Sequence, residues 1–213
     1  MAIVYDHNEE RANVWTHGFG IVLGLVACSY FLTLPRVQAS ALGIMSVLLY
    51  MFGVLSSYVT STLYHACPTN SPWRERLRKC DHSAIYCHIA GSYSPISIIG
   101  MSESPFWGWL LFVIVWACAI VGTTMSFYRL KEHSYLETAC FVGMGLLVLF
   151  TFKPVLNCIG WQSMGWIIAE GVAFITGAVF YSFNNVRYTH AIFHVFVLLG
   201  SVCHITALYF VLK

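Results

Sequence analysis

Charge is what this sequence has least of: only 9% of its 213 residues are Asp, Glu, Lys or Arg, where a soluble domain carries about 25%. So little charge cannot coat a globule in water. With 58% hydrophobic residues and a mean hydropathy of +0.71, the chain reads as one membrane domain over residues 1–213 whose outer solvent is lipid. A net charge of +2 leaves no basic surface for nucleic acid. A basic leader followed by a short apolar run is missing too. Residues 1–13 are instead a polar, acidic segment, which argues against a cleaved signal peptide. Internal repeats and low-complexity segments are absent. The eight cysteines show no pattern of a secreted disulfide framework; Cys28, Cys87, Cys118, Cys140 and Cys203 fall inside apolar runs, as small buried hydrophobes do.

What is present is length and apolarity. Seven stretches, at 14–34, 40–65, 82–101, 106–128, 136–153, 161–183 and 189–212, approach the ~20 residues that a helix needs to cross a hydrocarbon core. None alternates with period two, so strands are not expected. Pro35, Pro68, Pro72, Pro105 and Pro154 punctuate the joints, the last in a short loop before 161 that also holds Cys158. Pro95 lies within the third stretch and predicts a kink there.

The fold class expected is an all-α, seven-helix transmembrane bundle in the cell membrane. A cytoplasmic N-terminus puts Arg11, Arg74, Arg76, Arg78, Lys79, Arg129, Lys131 and Arg187 inside. Arg36, Lys153 and Lys213 then lie outside. This is the positive-inside bias, and an odd number of crossings puts the C-terminus outside.

That topology brings four helix ends to one depth near the inner face. They carry Glu10, Asn13 and His17; Ser61 and His65; Asp81 and His82, which open the third stretch; and His190 and His194, which open the seventh. Apart from Glu137 and Glu170, the other acidic residues fall in loops. His190 and His194, like Ser61 and His65, are four apart and share a helix face. Glu10, Asn13 and His17 share one if the first helix starts early enough. Three imidazoles, from His65, His190 and His194, around one ion with a fourth position open is the catalytic zinc arrangement. Asp81 and Ser61 would then hold or deprotonate a water.

Each residue has a plainer alternative. Asp81 could simply cap the third helix, and His65 could be an interfacial histidine. His190 and His194 could be a hydrogen-bonded core pair, and His17 a structural hydrogen-bonding group. His204 lies about 20 Å deeper than His190 and His88 about 10 Å deeper than Asp81, both too far to share the ion. His7 and His133 fall in polar segments. A rival set, His65, Cys67, Cys80 and His82, has the two-Cys, two-His complement of structural zinc but leaves His190 and His194 unexplained.

Glu10-x-x-Asn13-x-x-Thr16-His17, Ser61-x-x-x-His65, Asp81-His82-Ser83-Ala84-Ile85, Ala90-Gly91-Ser92-Tyr93-Ser94-Pro95 and His190-x-x-x-His194 with the later His204 together resemble the haemolysin III family. That family is the mainly bacterial branch of the progestin and adiponectin receptor superfamily. The resemblance covers the chain from about residue 5 onward. It implies a seven-helix bundle with its N-terminus inside, and zinc on His65, His190 and His194. It also implies that Asp81 holds the bound water and that Ser61 lies beside the site. The superfamily includes alkaline ceramidases, so a ceramide-like lipid amide or ester becomes the expected substrate or ligand. Three functions follow as expectations. The first is a zinc-dependent intramembrane lipid hydrolase; the second, a receptor or regulator sensing lipid or membrane state around structural zinc. The third is a pore-forming protein, as the family name suggests, although no amphipathic pore-forming segment is visible.

Overall fold

The computed structural model describes residues 6–129, 135–183 and 186–213; His133 and Lys131 lie outside them. Among the described residues the chain is helical throughout, with no strand. The elements are α1 (His7–Phe31), the single turn α2 (Pro35–Gln38), α3 (Ala41–Ala66), α4 (Arg74–Pro95) and a π-helical turn (Ile96–Gly100). There follow α5 (Pro105–Arg129), α6 (Tyr135–Gly145), a 3-10 turn (Leu146–Thr151), α7 (Phe152–Ser182) and α8 (Thr189–Leu212).

Local chemistry sets the boundaries. Asp6 precedes α1, and its N–H donates to Glu9 Oε2 at 3.3 Å, half of a capping box. The Ser40 hydroxyl accepts from Gly43 N–H at 2.9 Å to start α3. Pro35 and Pro105 each occupy a first helical position, where their missing N–H costs nothing. Pro95 is the last residue of α4, and the backbone passes from it directly into the π-helical turn. Tyr93 ties that region to its neighbour: its hydroxyl donates to the Gly145 carbonyl at 2.6 Å and accepts from Val148 N–H at 3.1 Å. The tie falls where α6 tightens into the 3-10 turn.

Five helical stretches are long and apolar enough to cross a membrane: His7–Phe31, Ala41–Ala66, Pro105–Tyr128, Leu136–Ser182 and Thr189–Leu212. Large apolar side chains stand exposed on them, among them Trp15, Phe19, Phe52, Val113, Phe150 and Val172, an outer surface suited to lipid and not to water. The chain is a multi-pass membrane protein. Two sequence expectations change. The loop expected around 154–160 is helical, and only Gly160 breaks it, with φ 72° and ψ 170°. And the third stretch starts early: α4 begins at Arg74, two turns before the apolar run. Its polar face is packed inside the bundle, with Ser83, His88, Ser92 and Ser94 all buried. A helix packed inside the bundle does not need a lipid-facing composition.

Candidate metal centre

Three imidazoles meet where α3 ends and α8 begins. The ligand atoms of His65, His190 and His194 lie within 4.8 Å of one another, with His65 and His194 buried and His190 partly so. His65 Nε2 faces His190 Nε2 at 3.2 Å. Two nitrogens on one tetrahedral ion at 2.0–2.1 Å each would stand about 3.3 Å apart, so the donor set fits a small divalent cation.

Neighbouring groups fix which nitrogen His65 and His194 offer. His65 Nδ1 is 2.6 Å from Glu10 Oε2. A carboxylate only accepts, so Nδ1 carries the proton and Nε2 keeps its lone pair. His194 Nδ1 is 3.3 Å from Thr16 Oγ1, whose own hydrogen goes to the carbonyls of Ala12 and Asn13 at 2.8 and 3.0 Å. The hydroxyl therefore accepts from His194, and Nε2 again is the free base. This is the arrangement in which an outer shell orients metal-binding histidines.

Arg74 completes that shell. From the first turn of α4 it pairs with Glu10 Oε1, donates to the carbonyls of Tyr64 and Cys67, and lies 4.7 Å from the Tyr64 ring centroid. It thus satisfies the orphan carbonyls at the end of α3 while holding the carboxylate that orients His65. Glu10→Gln is expected to weaken metal binding about 10–100-fold with the fold intact, measured by competition with a chelating dye.

The remaining expected residues gather around the triad in different roles. Asn13 Nδ2 is 3.3 Å from His65 Nδ1, and its Oδ1 is buried without a partner. Asp81 stands within hydrogen-bonding reach of Ser61, whose Oγ is buried, and within electrostatic reach of His65. Asp81 does not cap or open its helix, because α4 began seven residues earlier. The expectation that His17 makes structural hydrogen bonds is not met: neither ring nitrogen has a partner. It is instead stacked on His194, with centroids 3.6 Å apart and planes at 7°, and edge-on to Tyr58 at 5.1 Å. His7 is exposed, as its polar segment implied.

The rival zinc set does not assemble, since the triad is the metal-competent group found among the described residues. His82 turns away to Glu137 Oε2 at 3.0 Å, and Ser126 donates to the other oxygen of that carboxylate. All eight cysteines are free. Three contributors escaped the sequence reading. Arg74 looked like one more inner-loop cation. Thr16 sits in a quoted motif, but nothing in its spacing reveals which proton it accepts. Tyr181, 5.6 Å from the His190 ring, carries no sequence signal.

Known proteins resemble this chain along most of its length. The family model described as "Haemolysin-III related" matches residues 5–205. The chain is 32% identical to the Hemolysin-3 homolog of Bacillus subtilis, over 93% of this chain and 92% of that protein. It is also 32% identical to Hemolysin-3 of Bacillus cereus, covering 91% and 87%. Human Monocyte to macrophage differentiation factor is 24% identical, covering 94% and 83%. The chain therefore belongs to the Haemolysin-III related family, within the progestin and adiponectin receptor superfamily.

Proposed function

We propose that this protein is a zinc-dependent intramembrane hydrolase of lipid amides or esters, of the ceramidase type. The observation that carries the reading is the convergence of three imidazoles, two of them oriented by Glu10 and Thr16, with Asp81 and Ser61 beside them. We also read the chain as seven crossings with the N-terminus cytoplasmic. The 47-residue stretch Leu136–Ser182 would be about 70 Å long if straight, more than twice a hydrocarbon core of ~30 Å. Gly160 is where it can turn. The partly buried α4 supplies the remaining crossing.

His65, His190 and His194 would hold the ion. Three-histidine zinc acidifies water to a pKa of about 7 and polarises a carbonyl. The protein's own residues supply the rest. The Asp81 carboxylate is the base placed to take a proton from attacking water and to return it to the leaving amine or alcohol. Ser61 Oγ and the Asn13 amide can orient that water or the developing oxyanion. Glu10 and Thr16 keep two of the imidazoles in the tautomer that leaves Nε2 unprotonated.

The test is fatty-acid release from an N-acylsphingosine by the purified protein in nanodiscs. Release is expected to disappear on chelation and return with zinc. Asp81→Asn is expected to lower turnover about 10²–10⁴-fold with bound zinc retained. Release that survives chelation, or no release by zinc-loaded protein from any lipid amide or ester, overturns the hydrolase reading. The second of those results leaves a structural metal in a sensing bundle.

A further inference from the structure

A second polar cluster lies ten residues beyond His194, about 15 Å further along α8. His204 Nδ1 and Glu170 Oε2, from α8 and α7, are 2.8 Å apart, with side chains 4% and 12% exposed. The carboxylate accepts, so Nδ1 carries the proton and Nε2 presents a lone pair. That Nε2 is buried without a hydrogen-bond partner. So is the hydroxyl of Tyr50, whose ring centroid lies 5.1 Å from that of His204. Nearby, Tyr58 is satisfied by Ser201 at 2.6 Å, and the His88 ring lies 5.6 Å from the Tyr58 ring.

A structural tie between α7 and α8 would need only the Glu170–His204 bond. It does not account for the second imidazole nitrogen or for the tyrosine hydroxyl. A buried polar group without a partner is destabilising, and phenylalanine at 50 would remove that cost at nearly the same shape. A carboxylate at span depth is more expensive still and marks function by default. The pattern of the unmet groups is informative. Nε2 can only accept, while the Tyr50 hydroxyl can donate. A partner that donates to one and accepts from the other is a water, a hydroxyl or a secondary amide. Tyr50 belongs to the same buried cluster as Tyr93, Ile96, Leu208 and Val211, which suits a ligand that is hydrocarbon beyond that one group.

We infer that Glu170, His204 and Tyr50 form a binding site for the hydroxyl or amide group of a bilayer lipid, separate from the metal centre. Glu170 orients His204, His204 accepts, and Tyr50 donates. Ring contacts run from His194 through His17 and Tyr58 to His88, which lies within electrostatic reach of His204.

Three diazirine-bearing probes of equal chain length, an alcohol, a secondary amide and an alkane, test this on the full chain in nanodiscs. The alcohol, the amide or both are expected to label α3 and α8 around Tyr50 and His204 at least about tenfold more than the alkane, a difference of ~1.4 kcal/mol. The two polar arms separate hydroxyl from amide preference. Tyr50→Phe and His204→Phe are expected to reduce that labelling to the alkane level. Equal labelling by the alkane, or labelling that both variants leave unchanged, overturns the site and assigns the two atoms to water. If His204→Phe does not fold, Tyr50→Phe removes a single oxygen and carries the comparison, and the probe ratio in the unsubstituted chain needs no variant. Metal content is measured in parallel, so failure of this site and failure of the metal reading are told apart.

Discussion

The His194→Ala protein is expected to purify with less than about one-tenth of the metal bound by the parent, and to release no fatty acid above background. His194 is 1% exposed and is the deepest member of the triad. Its Nδ1 is fixed by Thr16, and its ring is covered by His17. Removing it therefore takes away a ligand already set in direction. No other imidazole can replace it, because His17, though stacked against it, points its ring parallel and not end-on. Loss of an orienting group alone costs about 10–100-fold in affinity; loss of the ligand itself exceeds that. The matched control is the Cys67→Ser, Cys80→Ser double variant, which keeps its metal if the three histidines are the ligands. Elemental analysis of the two proteins side by side decides between the sets. A His194→Ala protein with a full metal complement would sink the three-histidine assignment.

The triad was legible because helix periodicity is strict. His190 and His194 had to share a face, and the alternation of crossings had to return His65 to the same depth. The convergence of Glu10, Asn13, Ser61 and Asp81 followed from the same two rules. What was not legible depends on tertiary contacts. The apolar run starting at residue 82 gave the wrong start for α4, because its first two turns are polar. They are held by a Glu75–Arg78 pair and by Arg74 across to Glu10, not by lipid. With the helix start misplaced, Asp81 looked like a cap. Arg74 could not be distinguished from its neighbours Arg76 and Arg78, since charge counting treats them alike. His17 was expected to hydrogen-bond because buried imidazoles usually do; here a ring stack on His194 fills that place. The break at Gly160 was blurred for a different reason. Pro154 predicted a loop, yet proline is tolerated in the first turn of a helix, and α7 begins two residues before it.

A change that removes no polar side chain is expected to damage the site nearly as much. Gly53 of α3 and Gly91 of α4 face each other where the two helices approach closely. A β-carbon at Gly53 would press into the backbone carbonyl of Cys87, and one at Gly91 would stand 2.8 Å from the Leu49 carbonyl and 3.3 Å from Gly53 Cα. In both cases the obstacle is backbone, which cannot rotate away, so the helices must separate. Small residues at such crossings are how membrane helices gain packing. Gly53→Ala is expected to cost about 1–3 kcal/mol of stability, despite the helix propensity that alanine adds. Gly143→Ala and Gly165→Ala, where a β-carbon meets nothing within 4 Å, are expected to be neutral or slightly stabilising. The functional consequence follows from what the two helices carry. His65 and Ser61 sit on α3 and Asp81 on α4, so prising them apart moves the proposed base away from the metal ligands. Thermal unfolding and turnover measured together should show Gly53→Ala losing both while the two open glycines lose neither. A Gly53→Ala protein as stable and active as the parent would mean that α3 and α4 are not packed this closely.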